Sequence, residues 1–187
     1  MAPEIIAPIF KPEVILHIED ETPWITAISY VLRNGEYSEI IKSAYGSSPK
    51  RITSLVTAEL PSSQLEAEIN RLSGEIDGNP SLVSVITAQV AREFLGMILH
   101  GVIISDTSFP LNGKKVVEWI QHHGFNDYAL IGLSGTDFDV LDSELKKWFG
   151  TTNSRYFDKL VVFEHEEEFV QQIIRNRQDN IRRYSGK

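Results

Sequence analysis

The chain has 187 residues, enough to bury the core of one good-sized domain and short for two. Its composition, 42% hydrophobic and 24% charged, is that of a folded protein, and its net charge of −8 argues against a general binder of nucleic-acid backbones. The absence of cysteine excludes a disulfide scaffold, a thiolate metal site and a cysteine nucleophile. No run approaches the roughly 18 to 20 apolar residues of a membrane span. The stretch MAPEIIAPIFKPE has no basic-then-apolar leader pattern. A single cytoplasmic domain without membrane or nucleic-acid partners is the expectation.

In chain order, residues 1–13 read as an extension and EVILHIED (Glu13 to Asp20) as a first strand ending in carboxylates. Thr22 can cap a following helix, with Pro23 suited to its first turn. Trp24, Ile28 and Val31/Leu32 recur at helical spacing up to Asn34-Gly35. SEIIKSAYG (Ser38 to Gly46) reads as a second strand closed by glycine.

Ser47 to Pro80 breaks the rhythm with GSSPKR, LPSSQ and GEIDGNPS, which are turn chemistry. Between these lie a candidate strand (Ile52 to Glu59) and a candidate short helix (Ser63 to Leu72). Leu82 to His100 then reads as one mostly apolar helix feeding the strand GVIISD, which ends at Asp106. A helix from Gly113 to His122, a strand from Asp127 to Gly135 and a helix around Asp139 to Phe149 follow. The strand Arg155 to Phe163 and a helix from Glu164 to Tyr184 close the pattern. That last helix starts with glutamates and ends with arginines, which suits the helix dipole and explains the basic tail without nucleic acid.

Uniformly apolar strands alternating with helices indicate a parallel sheet covered on both faces. The expected fold is α/β and flavodoxin-like, a doubly wound five-stranded parallel sheet of order 2-1-3-4-5. The core would span 14–46 and 81–184, with an ordered insertion over 47–80. From Asp20 to Asp106 is 106 − 20 = 86 residues, where typical elements and connections need about 45, so about 40 are extra.

In such sheets, function collects at the carboxyl ends of the strands, near the switch in strand order. There stand Glu19 and Asp20 after the first strand and Asp106 after the third. Ser134 ends the fourth and Lys159 lies in the fifth. Three carboxylates crowded together call for a cation, and all-oxygen ligands with room for water suit Mg²⁺. A hydroxyl and an ammonium would then complete a phosphoryl-binding site around a carboxylate nucleophile. The histidines offer less. His17, on an apolar strand, reads as a satisfied core histidine. His122 and His123 are adjacent and cannot face one another on a helix, and His165 reads as a surface residue.

From about Val14 to Tyr184 the chain resembles the receiver domain of two-component response regulators. ILHIEDE resembles that family's first strand with its acidic pair, and IISDTSFP its third, with Asp106 at the phosphoacceptor position and Pro110 four residues on. LIGLSG resembles the fourth strand, with Ser134 at the Thr/Ser position. YFDKL resembles the fifth, with Lys159 and, three residues earlier, Tyr156 at the aromatic switch position. Leu160 stands where the family has proline, and Gly113 falls one position earlier than is typical.

The resemblance implies a stand-alone receiver, phosphorylated on Asp106, with Mg²⁺ held by Glu19, Asp20 and Asp106. Ser134 and Lys159 would bind the phosphoryl group and Tyr156 would act as the switch. Expected partners are a sensor histidine kinase or phosphotransfer protein, a downstream protein and, optionally, a second copy of the chain. The alternative is a pseudo-receiver, a constitutive protein-binding module independent of phosphorylation. A weaker third reading is a Mg²⁺-dependent phosphatase acting on small molecules.

Overall fold

The structure, a computed structural model, describes residues 8–106 and 113–186. The expected Pro110 loop, over 107–112, lies outside these residues, as does the start of the expected extension. Six parallel strands form one sheet: β1 (Ile9–Ile18), β2 (Lys50–Thr53), β3 (Ser81–Val85), β4 (Ile98–Ser105), β5 (Ile131–Ser134) and β6 (Arg155–Asp158). Their spatial order is β2-β3-β1-β4-β5-β6. Seven α-helices among the described residues cover it: α1 (Thr22–Asn34), α2 (Ser38–Tyr45), α3 (Ser62–Ile76), α4 (Ala88–Met97), α5 (Gly113–His122), α6 (Ser143–Thr151) and α7 (Glu166–Tyr184).

The α/β class and the parallel sheet agree with the sequence reading, but the count of five strands does not. The segment 38–46 is a helix, because Ile41 and Tyr45, one turn apart, both go into the core. Gly46, which reads in sequence as a strand end, is the left-handed residue closing α2 at φ 83°. The strand beside β1 on that side is instead Ser81–Val85, all five residues buried. The single helix expected over 82–100 is therefore a strand, a helix and the start of β4. Thr87 caps α4 by accepting from the Val90 N–H at 3.4 Å. Continuous apolar runs do not separate a buried strand from a buried helix. The extra chain forms α2, the edge strand β2 and α3.

Strand β1 also starts earlier than Glu13. Ile9 to Lys11 pair with Ile98 to His100, and the register shifts between Lys11 and Ile15, around Pro12. Gly101 answers that bulge, because a Cβ there would lie 2.4 Å from the Pro12 carbonyl oxygen.

Side-chain alternation divides the core. Val14, Leu16, Ile18, Val83 and Ile103 pack with α3, α4, α5 and α6. Ile15, Val102, Ile104, Ile131, Leu133 and Phe157 pack with α1, α2 and α7. The helices leaving β1 and β4 thus go to opposite faces, which opens a crevice at the carboxyl ends of these two neighbouring strands.

Candidate functional site

The ladders continue one residue past the strands and carry the site residues with them. The Glu19 N–H donates to the Val85 carbonyl at 3.1 Å, that of Asp106 to Ile18 at 3.0 Å, and that of Lys159 to Ser134 at 2.9 Å. Alternation then decides direction. Glu19 follows the parity of Ile15, Asp106 that of Ile104 and Lys159 that of Phe157, so all three belong to the α1/α7 face.

They meet there. The Lys159 ammonium lies 2.5 Å from Glu19 Oε2, 2.9 Å from Asp106 Oδ2 and 3.6 Å from Glu21 Oε2. Glu19, Asp106 and Lys159 are 0%, 3% and 5% exposed, so these charges are desolvated and depend on one another. Asp20 is half-buried, and carboxylate oxygens of Glu19, Asp20 and Asp106 lie within 4.8 Å of one another. This is the metal-competent group found among the described residues. Its donors are all hard oxygens beside a cavity of about 270 Å³, so the residues fit a cation such as Mg²⁺. Asp20, Glu21, Trp24, Asp106, Gly135, Lys159 and Leu160 line that cavity.

Electrostatics follow from burial. Desolvation pushes the Glu19 carboxyl up to about 7, opposed by its hydrogen bonds from Lys159 and the Glu21 N–H. For Lys159, burial pulls downward, but the bonds to Glu19 and Asp106 outweigh it and leave the ammonium above its ordinary range. On the same face as Glu19, His17 is 1% exposed, and neither ring nitrogen has a partner among the described residues. Burial, helped by Lys159, lowers it to about 3. It is a core histidine as expected, but not a satisfied one. His165 is 56% exposed at its side chain, on the surface.

Ser134 and Tyr156 have the opposite parity. Ser134 is buried at the end of β5, and Gly135, not Ser134, lines the cavity. The Ser134 hydroxyl accepts from the Thr136 N–H at 3.1 Å, and the Tyr156 hydroxyl donates to the Thr136 carbonyl. The Tyr156 ring sits between Phe138 and Phe149, with centroids at 5.6 and 5.8 Å. The expected site therefore comes as two joined groups. Glu19, Asp106 and Lys159 share one parity and pair directly, with Asp20 beside them, while Ser134 and Tyr156 are linked to each other through Thr136.

Trp24 is a site residue that sequence reasoning missed. It packs on the core side of α1, as its helical spacing implies, and, half-buried there, it also forms a wall of the cavity. One usable signal was its position about one helical turn after Asp20.

Searches against family models, curated proteins and solved structures found no match to the chain. No helix among the described residues is long and apolar enough to cross a membrane.

Proposed function

We propose that this chain is a receiver module of a two-component pathway, with a flavodoxin-like core extended by α2, β2 and α3. The observation that carries this reading is one buried ammonium shared by Glu19 and Asp106 at the switch point of a parallel sheet. An ammonium held by two carboxylates in this way can turn to an incoming group with negative oxygens once a cation offsets the carboxylate charge. In the proposed reaction an Asp106 carboxylate oxygen attacks phosphorus. The bond from phosphorus to the donor, a phosphohistidine nitrogen or an acetate oxygen, breaks, and an aspartyl phosphate forms. Glu19, Asp20 and Asp106 would hold Mg²⁺, which supplies charge neutralisation for the phosphoryl oxygens. Lys159 exchanges its Asp106 oxygen for a phosphoryl oxygen. Ser134 turns its hydroxyl from Thr136 towards the new group. That exchange releases the Thr136 N–H, lets Thr136 shift with the carbonyl that Tyr156 holds, and so repacks Tyr156 among Phe138 and Phe149. The expected setting is the cytoplasm, with a histidine kinase or phosphotransfer protein as donor and protein contact as output.

One observation favours the pseudo-receiver alternative: Lys159 already pairs with both Glu19 and Asp106, which stabilises the resting arrangement. Incubation with Mg²⁺ and acetyl phosphate, read by intact mass, divides the two. A phosphoryl adduct in the wild type that Asp106→Asn abolishes completely is the expected result. No adduct, together with no response to beryllofluoride, would sink the receiver reading in favour of the constitutive module.

A further inference from the structure

Trp24 contacts the functional ammonium without competing for it. The Lys159 Nζ lies 5.3 Å from the centroid of the Trp24 ring, within cation–π range. The same indole is stacked on Phe163, with centroids 5.6 Å apart and planes at 7°. Phe163 belongs to the short 3₁₀ turn Val162–His165 that follows β6, so the segment carrying Lys159 also clamps the ring facing it.

A divalent cation among Glu19, Asp20 and Asp106 would draw on the same carboxylates that now hold Lys159 and weaken their grip on it. An ammonium only 5% exposed cannot be left without a partner. Two partners remain in contact: Glu21, at 3.6 Å and largely in solvent, and the face of the half-buried indole. A carboxylate in solvent is a weak anchor, whereas the half-buried ring face is held in place by its stack on Phe163.

We propose that Trp24 is a positioning residue that retains the Lys159 ammonium in the cavity when a divalent cation draws on the Glu19 and Asp106 carboxylates. The proposal rests on the metal reading above. Without the indole, Lys159 competes with the metal for its carboxylates instead of yielding them.

Calorimetric titration of Mg²⁺ into wild type, Trp24→Phe and Trp24→Ala tests it, using the metal alone. Trp24→Ala should weaken Mg²⁺ binding by about fivefold to tenfold, while Trp24→Phe, which keeps an aromatic face, should stay within about twofold. NMR of the Lys159 ε-methylene, assigned through Lys159→Arg, supplies a readout that needs no folded Ala variant. Ring current from the indole should move this signal further upfield when Mg²⁺ is added to the wild type. Binding as tight as, or tighter than, wild type in Trp24→Ala would overturn the proposal, because the indole would then serve only the resting ion pair. So would a downfield shift on Mg²⁺ addition, or failure of Phe to restore affinity. Wild-type protein that takes up no Mg²⁺ would instead remove the metal reading itself, an outcome recognisable before any variant is made.

Discussion

Two places in this protein hold one cation between two glutamate or aspartate side chains, and they behave oppositely. On α3, Arg71 lies 2.7 Å from Glu68 and 2.5 Å from Glu75, and donates to the Thr53 carbonyl at 3.0 Å. Its fork has a partner for each nitrogen, Glu68 also accepts from the Leu55 N–H, and the arginine is 30% exposed. There the pairing with Arg71 pulls the Glu68 carboxyl below its usual range despite some burial. At the end of β1, Lys159 faces Glu19 and Asp106 in a site almost closed to solvent, and burial pushes Glu19 up to about 7. The charges are alike, but solvent and hydrogen-bond satisfaction differ. The first arrangement is a staple joining α3 to β2. The second holds its charges almost without solvent, which is the arrangement the proposed exchange of partners would use.

Removing each cation should separate the two most sharply. Lys159→Met leaves Glu19 and Asp106 buried without their counter-charge, and should cost about 3 to 5 kcal/mol near pH 8 by denaturant unfolding. Mg²⁺ should recover much of that loss, and a variant insensitive to Mg²⁺ would break the distinction. Glu19→Gln comes next. The folded state keeps the Glu19 carboxyl protonated up to about 7, against an ordinary 4.5. The stability this confers is present in full below about pH 4.5 and is lost as pH rises through about 7, roughly 3 kcal/mol in all. The Gln variant should lack that slope, so its unfolding free energy should exceed the wild type's at pH 8.5 and match it near pH 4.5. Arg71→Ala should have the smallest effect, about 1 kcal/mol. It should appear as faster hydrogen exchange in β2 and α3, with Mg²⁺ binding unchanged.

The same contrast marks how far the chain could be read in advance. Glu19 and Asp106 were legible because each interrupts an apolar run where a parallel strand runs out. Lys159 was placed inside a strand expected to reach Phe163, but β6 ends at Asp158 and Val162–His165 is a 3₁₀ turn, so Lys159 too stands at a strand end. Helix α2 was not. Ile40-Ile41 and Ala44-Tyr45 fit a four-residue spacing, but eight residues bounded by glycine also pass for a strand. Ser81–Val85 was lost in a longer apolar stretch, because a strand buried on both faces has no alternation to show. The Arg71 staple, which makes α3 and β2 one unit, depends on the Thr53 carbonyl, a backbone group that composition does not reveal.

Local chemistry alone, then, was enough for the α/β class, the parallel sheet and the identity of the charged residues at the strand ends. Those features follow from hydrophobic periodicity and from the cost of burying a charge without reason. Packing decided the sixth strand, the position of β3 beside β1, the link from Ser134 to Tyr156 through Thr136 and the placement of Trp24 against Lys159. Each of these depends on which elements become neighbours, a property of three-dimensional burial that spacing along one chain does not encode.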